Sequence, residues 1–167
     1  MTILNTDRLL LRPPEARDYD DFVRFFSNQQ QAEYVGGVKD AEQCWRLLAS
    51  YIGHWSMKGY GYMSVEERSS GLFMGCVGLW DSDPWPELEM GYWLMAEAQG
   101  QGYAFEAANA VLQLVFNTLG QKTLVSYIAA ENHASIQLAE RLGARYEQVI
   151  ELLDFGPHGV YRYSNSA

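Results

Sequence analysis

The stretch Leu88-Glu89-Met90-Gly91-Tyr92-Trp93-Leu94-Met95, followed after two residues by Ala98-Gln99-Gly100-Gln101-Gly102-Tyr103-Ala104, decides how this chain is read. Its first part is apolar, rich in aromatic residues and followed by glycines, which predicts a buried strand. Its second part is a glycine-rich turn that leads into an alanine-rich helical pattern from Ala104 to Leu119. Strand, tight glycine turn and helix N-terminus, in that order, form a recurrent cradle for phosphate. Glycines let the backbone approach the ligand, and the free N–H groups of the first helical turn point at the anion. A Gly-x-Gly pair carries little weight alone. No Gly-Lys-Ser/Thr follows it, so it is not a Walker loop, and its spacing is not that of a dinucleotide fingerprint.

Before this stretch, Arg8 to Arg12 reads as a strand ending at Pro13-Pro14. Asp18 is the expected cap of a first helix, with Asp20 and Asp21 in its first turn and Phe22, Phe25 and Phe26 as its apolar stripe. Gln29 to Val38 reads as a break around Gly36-Gly37. Asp40 with Gln43 makes a capping box for a second helix, whose apolar positions are Ala41, Trp45, Leu48, Ile52 and Trp55. Two antiparallel strands, Tyr60 to Glu66 and Leu72 to Trp80, precede a loop from Asp81 to Pro86. After the central strand and helix, Gly120 reads as a cap and Lys122 to Ala130 as another strand. Asn132 opens a short helix that buries Ile136, Leu138, Ala139 and Leu142 and stops at Gly143. Closing strands at Arg145 to Leu153 and Val160 to Ser164 flank a turn at Gly156-Pro157-His158-Gly159. The order β-α-α-β-β-β-α-β-α-β-β describes one mixed α/β (α+β) domain over residues 1–167, with a largely antiparallel sheet.

Composition excludes several classes. At 48% hydrophobic and 14% aromatic the chain is globular, and no apolar run is long enough to span a bilayer. A net charge of -9 argues against nucleic acid and favours a cationic substrate. Cys44 and Cys76 sit in apolar patterns without metal-ligand spacing, and no secretory signal precedes them, so reduced core cysteines in a cytoplasmic protein are expected.

The pattern Gln99-x-x-Gly102-x-Ala104 resembles the pyrophosphate-binding motif of the GNAT superfamily of N-acetyltransferases, Gln/Arg-x-x-Gly-x-Gly/Ala. The resemblance extends over nearly the whole chain and is nearest to the RimJ/RimL-like branch. It rests on Thr6-Asp7-Arg8-Leu9-Leu10-Leu11-Arg12-Pro13, Gly75-Cys76-Val77-Gly78-Leu79, Leu88 to Leu94, and Asn132-His133-Ala134-Ser135 running on to Gly143-Ala144. It implies a GNAT fold whose sheet splays between the fourth and fifth strands read above, Leu88 to Met95 and Lys122 to Ala130. It also implies acetyl-CoA as cosubstrate, no metal, and transfer to a primary amine, either a small molecule or a protein N-terminus, by direct attack in a ternary complex. No nucleic-acid or membrane partner is expected, and the protein would be a monomer or homodimer.

The resemblance assigns coenzyme contacts to Trp93, Leu94 and Met95, to the turn Gln99, Gly100, Gln101, Gly102, Tyr103 and Ala104, and to Asn132 and Ser135. Glu89 is the candidate base, because several relatives carry a catalytic glutamate on this strand and apolar surroundings would raise its pKa. Many GNAT enzymes protonate the departing thiolate with a tyrosine on the helix after the next strand. The corresponding residue here is Ala139, and Ser135 is the hydroxyl that the RimL-like branch offers instead. The acceptor is expected between Gln29–Val38 and Asp81–Pro86, with Tyr34, Trp80, Trp85 and Glu87 as substrate-side residues. His133 reads as a solvated loop histidine, and His54 and His158 have no evident partner. The competing reading is a catalytically weak domain that holds acyl-CoA as a sensor.

Overall fold

A computed structural model describes residues 2–165. In chain order the strands are β1 (Leu4–Asn5), β2 (Leu9–Arg12), β3 (Tyr62–Glu67), β4 (Phe73–Trp80), β5 (Glu89–Leu94), β6 (Thr123–Ile128), β7 (Arg145–Glu151) and β8 (Pro157–Ser164). The helices are α1 (Tyr19–Phe26), α2 (Gln29–Ala32), α3 (Ala41–Lys58), α4 (Tyr103–Gln113) and α5 (His133–Arg141). The strands form a single sheet in the order β1-β2-β3-β4-β5-β6-β8-β7. Every neighbouring pair is antiparallel except β5 and β6.

Strand β5 is central because both of its faces are covered. Trp93 packs against Phe22, Phe25 and Phe26 of α1, with ring centroids 5.1, 4.4 and 5.2 Å away. On the opposite face the Tyr92 hydroxyl donates to the Ser135 carbonyl of α5 at 3.2 Å. Alternation along the strand therefore puts Glu89, Gly91 and Trp93 toward α1, and Met90, Tyr92 and Leu94 toward α5. Helix α3 starts as its capping box predicts: Asp40 Oδ1 accepts from the Gln43 N–H at 2.8 Å, and Gln43 Oε1 accepts from the Asp40 N–H at 2.9 Å. It ends at Gly59, whose φ of 77° is the left-handed cap that glycine tolerates.

Several local expectations are corrected. Asp18 does not cap α1. It is buried in a network in which its carboxylate accepts from Arg12 Nη2 at 2.6 Å and Nη1 at 3.0 Å, from Ser64 Oγ at 2.7 Å, and from the Glu15 N–H at 2.9 Å. Burial pushes its carboxyl up, but the Arg12 guanidinium and these donors outweigh it and hold the group below its usual range. The buried face of α3 is Cys44, Leu48, Tyr51, His54 and Trp55, whereas Ala41, Trp45 and Ile52 are exposed. The aromatic floor of the sheet takes Tyr51 in place of Ile52. The Gln29–Val38 break contains the single turn α2, capped by Asn28 Oδ1, which accepts from the Gln31 N–H at 3.1 Å. The last strand starts at Pro157 rather than Val160, since Glu151↔Pro157 already pair. The short β1 has no periodicity to read and exists through its pairing with β2. With β1 counted, the gap expected between the fourth and fifth strands lies between β5 and β6.

Candidate active site

Strands β5 and β6 touch at one register pair, Glu89↔Val125, and then diverge. Which backbone groups face the gap follows from the β4 ladder. The Met95 N–H donates to the Met74 carbonyl at 2.9 Å. Hydrogen-bonded pairs alternate in an antiparallel ladder, so Trp93 opposite Cys76 and Gly91 opposite Gly78 also bond toward β4. The backbone of Met90, Tyr92 and Leu94 turns toward β6. Two of those carbonyls are capped, Met90 by the Ser126 hydroxyl at 2.7 Å and Leu94 by Gln99 Nε2 at 3.2 Å. The Met90 N–H is used in the one β5–β6 register pair, and the Tyr92 backbone and the Leu94 N–H are left facing the gap. Of the strand residues expected to meet the coenzyme, Leu94 offers an N–H to the gap, whereas the Trp93 and Met95 backbones are bonded to β4 and Tyr92 turns its backbone to the gap.

The glycine turn closes the other end. Gly100 and Gly102 have φ of 74° and 81°, and Gly102 is the N-cap of α4, so the first N–H groups of α4 are turned outward. The turn is braced from behind. Glu106 accepts from Arg8 Nε at 2.7 Å, from the Arg8 N–H at 2.8 Å and from the Thr6 hydroxyl at 2.5 Å. Arg8 Nη1 donates in turn to the Gln101 carbonyl at 2.8 Å. The Tyr103 ring lies 4.4 Å from the Arg8 guanidinium, and its hydroxyl donates to Glu67. Tyr103 is thus part of the brace, and Gln101 is held through its carbonyl and through Nε2, which donates to the Glu97 carbonyl at 2.7 Å. Turn, helix dipole and unpaired strand N–H groups suit a ligand with a diphosphate at one end and an amide-bearing arm along the gap.

A cavity of about 420 Å³ passes through the gap. Asn132 and Ser135 line it on the α5 side, Tyr34, Trp80 and Trp85 on the α1 side, with Glu89, Gly91, Trp93 and Ser126 between them. Asn132 also caps α5, its Oδ1 accepting from the Ser135 N–H at 3.4 Å. Both stretches expected to border the acceptor, Gln29–Val38 and Asp81–Pro86, contribute to its wall. Glu89 is 9% exposed, and its carboxylate accepts from Trp85 Nε1 at 2.8 Å and from the Tyr127 N–H at 3.4 Å. Burial pushes its pKa up to about 8 against the opposing pull of those two donors. Among the wall residues it is the sole carboxyl group.

Other expectations are not met. Glu87 does not reach the cavity, because Arg162 of β8 holds it with Nη1 at 2.9 Å and Nη2 at 3.0 Å. His54 has partners after all: its ring nitrogens sit 2.8 Å from the Tyr60 carbonyl and 3.0 Å from Asp81 Oδ1, and the ring stacks on Trp80. His158 lines the cavity, with Nδ1 3.0 Å from the Gly156 carbonyl. Sequence reasoning missed Tyr62, Tyr127 and Phe155 as wall residues. One signal was available for Tyr62. Gly91 lies across β4 from it, and a β-carbon at Gly91 would overlap the Tyr62 hydroxyl, so glycine is required there. Ala139 is fully buried and brings no hydroxyl to the site.

The family model for the acetyltransferase (GNAT) domain matches residues 8–145. The chain belongs to the GNAT acetyltransferase family. It is 32% identical to YkkB, an uncharacterised protein of Bacillus subtilis, over 157 residues covering 89% of this chain and 88% of that one. An acetyltransferase from Agrobacterium tumefaciens superposes with a TM-score of 0.90 at 32% identity, over 99% of this chain and 95% of the other. RimL, a ribosomal L7/L12 α-N-protein acetyltransferase solved with coenzyme A, shares the fold with a TM-score of 0.79 at 18% identity, over 98% of both chains. The GNAT family uses acetyl-CoA. Among the described residues no group of His, Cys, Asp and Glu is placed to hold a metal ion, and no helix is long and apolar enough to cross a membrane.

Proposed function

We propose that this GNAT protein transfers an acetyl group from acetyl-CoA to a primary amine by direct attack in a ternary complex. One observation carries the reading: the buried carboxyl of Glu89 sits where β5 and β6 part, in the same cavity as Ser135 on the other face of the sheet. An ammonium entering from the α1 side gives its first proton to ionised Glu89. The amine nitrogen then attacks the thioester carbonyl carbon, the N–C bond forms and the C–S bond breaks. The second nitrogen proton passes, directly or through water, to the departing sulfur, and the Ser135 hydroxyl hydrogen-bonds the growing charge. The chain's part in coenzyme binding falls to the turn from Gln99 to Ala104, to the N–H groups of Tyr92 and Leu94, and to Asn132.

The sensor reading rests on Ala139 in place of a tyrosine. Ser135 and the high-pKa Glu89 favour turnover over holding, since neither is needed to bind a thioester. Purified protein mixed with acetyl-CoA, a thiol reagent and a panel of primary amines separates the two. Amine-dependent thiol release supports transfer, and coenzyme binding without release on any amine overturns it.

A further inference from the structure

On the α1 side of the gap, aromatic side chains from separate elements form much of the wall. Tyr51 of α3 and Tyr62 of β3 stack with ring centroids 4.4 Å apart at 3°. Trp80, at the end of β4, packs against both, at 6.0 and 6.4 Å. Trp85 meets Tyr127 of β6 edge-on at 6.3 Å and Phe155 at 5.8 Å, tying the loop before β5 to the loop before β8.

The mouth is apolar as well. Tyr34, Leu153 and Phe155 are 42%, 43% and 54% exposed, unusual for large apolar side chains gathered at one opening. Leu153 has φ of 47°, a left-handed conformation that a leucine adopts at a cost, in the turn that presents Phe155 to the opening. Two buried polar atoms at the wall, Trp93 Nε1 and the Tyr127 hydroxyl, have no hydrogen-bond partner. Such atoms mark where a ligand's polar group can be met.

Charge is sparse. The wall carries Glu89, the Lys39 ammonium, which donates to the Gly36 carbonyl at 3.0 Å, and the His158 ring. Asp81, next to Trp80, faces away into His54, Lys58 and Tyr60. A polyamine therefore finds one carboxyl for its reacting nitrogen, none for its second ammonium, and a lysine that repels it. A peptide N-terminus would have to bury amide groups among rings that offer few partners.

We propose that the acceptor is an aromatic monoamine, a primary amine on a short arm from an aryl ring, seated with its ring between Trp80, Trp85 and Phe155 and its nitrogen at Glu89. The ring fills the aromatic wall in tilted or edge-to-face contacts, and ring faces near the nitrogen tolerate its charge before deprotonation. This rests on the acetyl-transfer reading for its chemistry but not for its binding, and the two are tested separately.

The test compares 2-phenylethylamine, tryptamine, spermidine and a tripeptide with a free N-terminus, each by thiol release with acetyl-CoA. Each is also measured by calorimetry as a ligand of the protein saturated with coenzyme A. The expected result is kcat/KM for the arylethylamines at least about tenfold above spermidine and the tripeptide, with the same order in binding. Equal or better performance by spermidine or the tripeptide overturns the proposal, as does absence of arylethylamine binding. Arylethylamine binding without thiol release on any amine supports the pocket assignment and refutes acetyl transfer. Tyr34→Ser and Phe155→Ser alter exposed side chains, so folding should survive. Each should raise KM for 2-phenylethylamine about tenfold and leave KM for acetyl-CoA unchanged. Unchanged KM for the amine in both variants also overturns the proposal.

Discussion

Replacing Glu89 by glutamine tests the site through both stability and rate. The substitution keeps the shape and removes the titration. In the folded protein burial lifts this carboxyl from its ordinary 4.5 to about 8, a preference for the protonated form of roughly 4–5 kcal/mol. The unfolded chain loses the proton near 4.5, while the folded protein keeps it to about pH 8. Between those values the folded state holds the extra proton, so this group makes stability fall as pH rises, and the loss is complete above about pH 8. Urea unfolding at pH 5.5 and 8.5 should therefore show a smaller loss with pH in Glu89→Gln than in the parent, by up to ~3 kcal/mol. In turnover, the parent's kcat/KM should rise through an apparent pKa near 8. The variant should be slower at neutral pH by about a hundred- to ten-thousand-fold, with partial recovery at high pH, where solvent deprotonates the amine. Acetyl-CoA affinity, measured by calorimetry, should not change, because the groups placed to hold the coenzyme lie further along β5 and in the turn. A variant with the parent's pH–rate profile would falsify the assignment of Glu89 as base, and an unchanged pH dependence of unfolding would refute the reasoning from its burial.

Three further perturbations probe the frame. Gly102→Ala puts a side chain at φ 81°, with its β-carbon 3.3 Å from Arg8 Nη2; it should cost ~1–2 kcal/mol in unfolding and weaken coenzyme A binding at least about tenfold by calorimetry. Ser135→Ala should lower kcat several-fold more than it weakens coenzyme binding, since charge on sulfur builds only during transfer; equal kcat in the two proteins would reduce Ser135 to a helix-start residue. Asp18→Asn leaves the buried Arg12 with Glu66 as its remaining carboxylate partner, so denaturant unfolding should show a loss of about 1–3 kcal/mol with the amine preference unchanged.

Local chemistry fixed the scaffold of this protein. The alternation of Leu88 to Met95, the glycines at 100 and 102, the Asp40–Gln43 capping box and the stop at Gly143 are written in neighbouring residues, because strand period, left-handed turns and helix caps depend on the few residues around them. The strand-turn-helix frame and the element order were legible for that reason, and with them the family. What the sequence could not supply is anything decided by residues far apart in the chain. Asp18 looks like a helix cap until Arg12 and Ser64 are folded onto it. Glu87 looks as available as Glu89 until Arg162 arrives from β8, whereas Trp85 and the Tyr127 N–H close over Glu89 and burial raises its pKa. The register of β5 on β4 decides that Tyr92 rather than Trp93 or Met95 shows its backbone to the gap. Desolvation and sheet register are properties of the packed chain, so the tertiary structure alone set the chemistry of the site.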